Sequence, residues 1–151
     1  MLRESIYRYC NYQPRCHAEV RNKLYELGAT TPEVEELIAE LIEKNLLNEE
    51  VYARAVSRGK FRMKQWGRNK IVQQLKRNKI SEYCIKKGLS EIDAEEYYKT
   101  LVKLTNKKWE MLKAERSLLA RKMKVHRYMV QKGYESDLVL DVIKDILSTT
   151  N

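Results

Sequence analysis

Apolar residues recur along the chain at the three- and four-residue spacing that is typical of amphipathic α-helices. Within residues 66–80, Ile71 and Leu75 fall on one side of a helix, whereas Lys70 and Arg77 fall on the other. The same spacing continues through most of the chain, and five glycines and two prolines leave few turn formers. The pattern therefore predicts an all-α fold.

Three segments share one pattern and predict an internal repeat of about fifty residues. They are EVRNKLYELGA, KIVQQLKRNKI and KVHRYMVQKGY, which begin at residues 19, 70 and 124. Each contains an apolar anchor, a second anchor four residues later, and a turn position four residues after that. The first anchors are Val20, Ile71 and Val125, the second are Leu24, Leu75 and Met129, and the turn positions are Gly28, Lys79 and Gly133.

The starts and ends of the helices can be predicted from the residues around these segments. A short polar side chain caps a helix by accepting a hydrogen bond from its first turn. The predicted caps are Thr30 or Thr31, Asn48, Ser81, Asp93 and Ser136. Gly28 and Gly133 suit the left-handed residue that often follows a helix. In the middle segment Lys79 replaces this glycine, so we expect Asn78 to take the left-handed conformation there.

Further helical patterns precede the segments and complete three triplets of helices. The predicted apolar faces are Val51, Tyr52, Ala55, Val56 and Met63 in the second triplet, and Ala94, Tyr98, Leu101, Thr105, Trp109 and Leu112 in the third. The helix around residue 124 is expected to bury Leu119, Met123 and Val130 and to present Lys124 and Arg127 on the opposite side. We therefore predict nine helices in three-helix repeats at residues 1–47, 48–91 and 92–151.

Basic residues are concentrated in the middle of the chain. The net charge is +9, but residues 60–132 hold 21 Lys and Arg against 7 Asp and Glu, a net of +14. Residues 1–59 and 133–151 carry −2 and −3. Lysines four residues apart, as in Lys103 and Lys107, repel each other where Glu and Lys would attract. A solvated helix face would explain any one such row, but the rows together indicate a polyanionic partner.

Signals for export, membrane insertion and catalysis are lacking. No apolar run approaches the roughly 20 residues needed to cross a bilayer, and MLRESIYRYC lacks the apolar centre of a signal peptide. The three cysteines have no paired spacing, which favours a reduced, cytoplasmic protein. No P-loop, GxSxG, HExxH or paired-carboxylate motif is present, so we expect neither an enzyme nor a bound cofactor.

Two tryptophans and a histidine have both a functional and a packing interpretation. Trp66 and Trp109 could stack on nucleic-acid bases. Both fall near helix starts or on predicted apolar faces, which favours packing. His126 lies within the predicted apolar face of its helix, so we expect a packed side chain and not a catalytic one.

The order of motifs along the chain resembles that of the RecX family of regulatory proteins. In NLLNEEVYARAVSRGKFRMKQWGRNKIVQQLKRNKI, an acidic helix start is followed by the pair Tyr52–Ala53, and Gly67 precedes the basic–Ile pair Lys70–Ile71. RCHAEVRNKLYELGA, the Lys-Lys-Trp at 107–109 and QKGYESDLVLDVI also fall where that family has counterparts. The resemblance covers nearly the whole chain.

This resemblance implies an elongated, curved protein of three tandem three-helix repeats that regulates the RecA recombinase and is not an enzyme. Such proteins lie in the groove of the RecA filament and restrain filament growth, ATP hydrolysis and strand exchange. We expect this chain to bind the RecA filament and single-stranded DNA, and also duplex DNA, as a monomer with no membrane contact. The expected contact residues are Arg58, Lys60, Arg62, Lys64, Arg68, Lys70, Arg77, Lys103, Lys107, Lys108, Arg121, Lys124 and Arg127.

Two other classes of protein stay open at this point. One is a stand-alone nucleic-acid binder in which one triplet acts as a helix-turn-helix that reads duplex DNA. Such binders are commonly symmetric dimers, yet the sequence shows no leucine zipper or other dimer seam. The other is a metal-dependent enzyme, which rests only on Cys10, Cys16 and His17. Their spacing matches no zinc pattern and a fourth ligand is missing.

Overall fold

The structure, a computed structural model, describes residues 1–149. Over this range the chain forms nine α-helices and no strand, which confirms the predicted all-α class. The helices are α1 (Leu2–Tyr12), α2 (His17–Glu26), α3 (Thr31–Glu43), α4 (Glu49–Lys64), α5 (Arg68–Arg77), α6 (Glu82–Leu89), α7 (Ala94–Met111), α8 (Leu118–Gln131) and α9 (Ser136–Thr149). None of these helices is long and apolar enough to span a bilayer.

Most of the predicted helix caps are confirmed. A side-chain oxygen accepts a backbone N–H two or three residues later at Thr30, Asn48, Ser81 and Asp93. The prediction for Ser136 is wrong, because this residue is the first residue of α9 and does not precede the helix. Its hydroxyl is 2.7 Å from Nε2 of His126 on α8 and is therefore used to join the two helices.

The three repeat segments fold alike. All six anchors are fully buried: Val20, Leu24, Ile71, Leu75, Val125 and Met129. In each segment the residue after the turn donates its N–H to the carbonyl of the second anchor, at 3.0–3.1 Å. This bond needs a left-handed residue immediately before its donor. That residue is Gly28, Lys79 or Gly133, with φ of 91°, 60° and 108°, so the prediction that Asn78 would replace Lys79 is wrong.

The chain folds as two compact units, each with its own core. One core cluster of the first unit is formed by α1, α2 and α3 and includes Ile6, Val20, Leu24, Val34, Ile38 and Leu41. In the second unit the ring of Tyr97 lies 5.8 Å from Phe61 and 5.2 Å from Tyr134. The first unit is Met1–Arg58 with Gln74–Glu91, and the second is Gly59–Gln73 with the chain from Ile92 onward. The three repeat boundaries given above stay a prediction.

The predicted apolar faces of α4 and α7 are partly wrong. Tyr52, Leu101, Thr105 and Trp109 are buried as predicted, whereas Val51, Met63 and Tyr98 are exposed. On α7 the buried tyrosine is Tyr97 and not Tyr98. The hydroxyl of Tyr97 donates to Glu135, so this ring can enter the core without leaving a buried polar atom unpaired.

Helix α8 turns a different side to the core than predicted. Val125 and Met129 are fully buried. The residues expected there are exposed: Leu119, Met123 and Val130. Arg127 lines a surface groove together with them, and is not on the opposite side as predicted. His126 is half-buried at the same groove and is not packed in the core.

Candidate nucleic-acid interface

Trp66 stands between two lysines in the second unit. Its backbone N–H donates to the carbonyl of Lys60 at 3.1 Å, after Gln65 turns the chain with a φ of 55°. The Nζ atoms of Lys60 and Lys70 lie 4.8 and 4.5 Å from the centroid of its half-buried ring. Each cation–π contact of this kind contributes about 0.5–1 kcal/mol at an exposed site. The result is a small aromatic and doubly cationic cluster at the surface.

The first turn of α5 is held against the turn that follows α8. Gly67 donates its N–H to the carbonyl of Lys132, and Asn69 donates to that of Gly133, both at 2.9 Å. The backbone N–H of Arg68 donates to the hydroxyl of Tyr97 at 3.0 Å. Because three successive N–H groups have acceptors within the protein, this helix start is not available to a phosphate group.

Arg68 is part of a half-buried hydrogen-bonded cluster. Its guanidinium lies 3.9 Å from the centroid of Tyr97 and donates to Glu135 at 2.8 Å. The hydroxyl of Tyr97 donates to the same carboxylate at 2.5 Å. Burial raises the pKa of Tyr97, and the bond to Glu135 raises it further. Arg68 therefore orders the second unit internally.

Three other cations of the second unit contact their own chain. Arg121 lies 3.9 Å from the centroid of Trp109 and donates twice to the carbonyl of that residue, at 3.1 and 2.6 Å. Lys124 donates to Glu115 at 2.5 Å, which lowers the pKa of the carboxyl group. Lys108 lies 4.5 Å from the ring centroid of Tyr128. Trp109 is buried under Arg121, which confirms the packing interpretation of that tryptophan.

Of the two predicted contact residues in the first unit, Arg58 has an acidic partner within the protein and Arg77 does not. Arg58 donates to Glu91 at 2.7 Å, and Arg54 donates to the other oxygen of that carboxylate at 2.6 Å. Arg77 is exposed near the end of α5 and has no side-chain partner among the described residues. Some basic side chains therefore have acidic partners within the protein. Lys99 is another example, because its Nζ lies 3.5 Å from a carboxylate oxygen of Glu95.

The remaining predicted contact residues have exposed side chains with no ion pair within the described part of the second unit. They are Arg62, Lys64, Lys103, Lys107 and Arg127. Within the described residues the ammonium groups of Lys60 and Lys70 have no ion pair, and their partner is the ring of Trp66. These side chains are the ones that can bind an external anion without first losing an internal bond.

A basic and aromatic cluster on the first unit was missed by the sequence reasoning. Arg8, Arg15 and Lys23 line a groove of about 380 Å³ with Tyr9 and Tyr12. The guanidinium of Arg15 lies 3.7 Å from the centroid of Tyr9 and donates to its carbonyl at 3.0 Å. A charge sum over residues 1–59 is negative and conceals these cations. Arg8 and Tyr12 are four residues apart and so lie on one face of a helix, and this spacing could have indicated the cluster.

The residues considered for a metal site do not form one. Cys10 and Cys16 are buried in the first unit. Burial raises the pKa of both thiols and so disfavours the thiolates that bind metal. Across residues 1–149 no group of three His, Cys, Asp or Glu side chains could hold an ion.

The repeated helical segments define an all-α tandem-repeat protein with exposed cations. Family models for the first, second and third three-helix domains of RecX match residues 3–41, 48–89 and 95–143. The chain belongs to the RecX family.

Relatives and solved structures agree with this assignment. Regulatory protein RecX of Clostridium perfringens (strain 13 / Type A) is 36% identical over 127 residues, which is 83% of this chain and 59% of the relative. Regulatory protein RecX of Clostridium botulinum (strain Eklund 17B / Type B) is 29% identical over 147 residues, covering 97% of this chain and 68% of the relative. The crystal structure of RecX from Lactobacillus salivarius has the same fold, with a TM-score of 0.82 over 95% of this chain and 93% of that chain at 22% identity.

Proposed function

We propose that this chain is a non-enzymatic regulator, mainly an inhibitor, of RecA-mediated recombination and DNA repair. It binds in the groove of the RecA filament on single-stranded DNA and restrains filament growth, ATP hydrolysis and strand exchange. It acts in the cytoplasm as a monomer, through three-helix repeats at residues 1–47, 48–91 and 92–151. Membership of the RecX family is the observation that carries the proposal.

The distribution of exposed cations supports a polyanionic partner. Side chains that already have acceptors in the protein would lose an internal bond on contacting phosphate, whereas exposed ones would lose only water and counterions. We therefore divide the expected contact residues into two groups. Those that contact the filament or its DNA are Lys60, Arg62, Lys64, Lys70, Arg77, Lys103, Lys107 and Arg127. Those that mainly support local structure are Arg58, Arg68, Lys108, Arg121 and Lys124.

A charge reversal on α5 tests the proposed contact surface. Lys70→Glu with Arg77→Glu changes the net charge by four and leaves the buried anchors intact. The matched control is Lys113→Glu with Lys144→Glu, because it changes the charge equally at two exposed positions outside the contact group. We expect the first pair to raise at least tenfold the concentration that half-inhibits the RecA ATPase on single-stranded DNA. We expect the control pair to raise it much less. Equal effects of both pairs would show that only net charge matters.

Trp66 offers a direct optical test of nucleic-acid contact. A phosphate that binds Lys60 and Lys70 would move them relative to the indole ring and change its emission. We expect oligothymidylate to change the tryptophan fluorescence of the protein in a salt-dependent way. Trp66→Phe should abolish that change, since Trp109 is buried. A signal that persists in Trp66→Phe would place the contact elsewhere.

A stand-alone helix-turn-helix protein is the alternative to be tested against this proposal. Such proteins read base edges with the first residues of a recognition helix in the major groove. The first turn of α5 is packed internally, which argues against this role for α5. Competition binding at two salt concentrations separates the functions. A strong preference for one duplex sequence would support the alternative, and a steep salt dependence without sequence preference would support the filament regulator.

A further inference from the structure

Helices α8 and α9 form an apolar groove on the surface of the second unit. Its apolar lining is Leu119, Met123 and Val130 of α8 with Leu140 of α9, and these side chains are 66%, 53%, 38% and 51% exposed. The groove has a volume of about 460 Å³. Single exposed apolar residues are ordinary on protein surfaces, but a contiguous groove of four is typical of an interaction site.

The core of the second unit does not need these side chains. Helix α8 already buries Val125 and Met129. Helix α9 already buries Val139, Val142, Ile143 and Ile146. The lining residues therefore form a second apolar stripe, which runs along α8 for about 16 Å from Leu119 to Val130. A partner helix of about three turns would match that length.

The polar residues of the groove define the charge of its ligand. Lys122, Arg127, His126 and Gln131 line it, and none of the lining residues in the described part of the chain carries a carboxylate. Within the described residues neither Lys122 nor Arg127 has an ion-pair partner. His126 is already bound to the hydroxyl of Ser136. A ligand that combines an apolar stripe with carboxylates along its edge would fill the groove and pair both free cations.

We propose that the α8–α9 groove binds an acidic amphipathic helix of a protein partner. The apolar stripe of that helix lies between Leu119, Met123, Val130 and Leu140, and its carboxylates face Lys122 and Arg127. This mode of recognition places apolar anchors at i, i+4, i+7 and i+11 of the bound helix. The site shares only Arg127 with the cations proposed to contact the filament, and the proposal does not depend on the identity of the recombinase.

The test uses the full chain and three labelled 16-residue peptides. The first has leucines at i, i+4, i+7 and i+11 with glutamates along the flanks. The second has the same composition in scrambled order, and the third has lysine in place of glutamate. In fluorescence anisotropy we expect the first peptide to bind at least tenfold more tightly than either control. Equal binding of all three, or no binding of the first, would overturn the proposal.

Two protein variants locate the binding site. Met123→Glu places a negative charge in the groove and should weaken the binding of the acidic peptide at least tenfold. Met63→Glu, on α4 where Met63 is 85% exposed and outside the groove, should change binding less than twofold. Leu119→Ser is a second groove variant and should also weaken binding. Circular dichroism confirms that each variant is folded. Unchanged binding in both groove variants would contradict the proposed site.

Two other occupants of the groove can be detected with the same protein variants. Sedimentation velocity would detect a second copy of this chain, and cosedimentation with phosphatidylglycerol vesicles would detect an anionic lipid surface. If either association occurs and is lost in Met123→Glu, while the acidic peptide fails to bind, the groove serves that occupant and the proposal is wrong.

Discussion

The close approach of two backbone segments at Gly67 makes Gly67→Ala a decisive substitution. A Cβ atom at Gly67 would lie 2.2 Å from the carbonyl carbon of Gly133, 2.3 Å from its oxygen and 2.3 Å from the nitrogen of Tyr134. Carbon atoms in ordinary contact are about 3.5–4.0 Å apart. The two backbone segments would therefore have to separate by more than about 1 Å.

The energetic cost follows from the bonds that this separation would break. Gly67 and Asn69 donate to the turn after α8 through two backbone bonds of 2.9 Å. Each is worth about 1 kcal/mol net. Overpacking against a rigid backbone adds about 1–3 kcal/mol. We therefore expect Gly67→Ala to lower the free energy of unfolding by about 3–5 kcal/mol, a large part of the roughly 5–15 kcal/mol that stabilises an ordinary domain.

A second glycine supplies the control. Gly59 lies within α4, and a Cβ atom added there meets nothing within 4 Å. Alanine is a better helix residue than glycine, so Gly59→Ala should raise the free energy of unfolding by about 0.5–1 kcal/mol. Urea denaturation followed by tryptophan fluorescence and circular dichroism measures both variants. A loss of less than about 1 kcal/mol in Gly67→Ala would refute the close packing of α5 on this turn.

Two further predictions concern the repeat turns and the buried tyrosines. Lys79 has a left-handed backbone that costs about 1–2 kcal/mol in a residue with a Cβ atom, so Lys79→Gly should stabilise the protein by about 0.5–1 kcal/mol in thermal unfolding. Lys76→Gly, inside the preceding helix α5, should instead destabilise it by about as much. Burial raises the pKa of Tyr52, Tyr97 and Tyr134, so the folded protein keeps these phenols neutral. The tyrosines leave stability unchanged below their unfolded pKa of about 10, and above it each lowers stability by up to about 1.4 kcal/mol per pH unit. The buried thiols of Cys10 and Cys16 add a fall in the same direction from about pH 8.5. Urea midpoints from pH 8 to 11 measure this, and a flat profile would contradict the burial.

The helical repeat was predictable because its signal is local. Val20, Leu24, Ile71, Leu75, Val125 and Met129 recur at one spacing and are all buried. The cap residues act within three positions of themselves, so sequence alone identifies most of them. At Lys79 the hydrogen bonds of the turn require a left-handed residue whatever its type. This requirement overrides the greater preference of Asn78 for the left-handed conformation.

The features that sequence reasoning missed depend on distant residues. Helix α8 has two apolar stripes, and periodicity alone cannot decide which one faces the core. The partners of Arg58 and Arg68 are Glu91 and Glu135, which lie 33 and 67 residues further along the chain. No pattern near either arginine indicates these bonds. Exposed and internally bonded cations could therefore be separated only with the structure.

The ATPase activity of RecA on single-stranded DNA, measured with this protein titrated in, tests most directly the proposal that the chain restrains RecA. We expect ATP hydrolysis to fall as the protein is added, and Lys70→Glu with Arg77→Glu to shift the curve to higher concentration. ATPase activity that stays flat across the titration, at protein concentrations up to those of RecA itself, would contradict the claim.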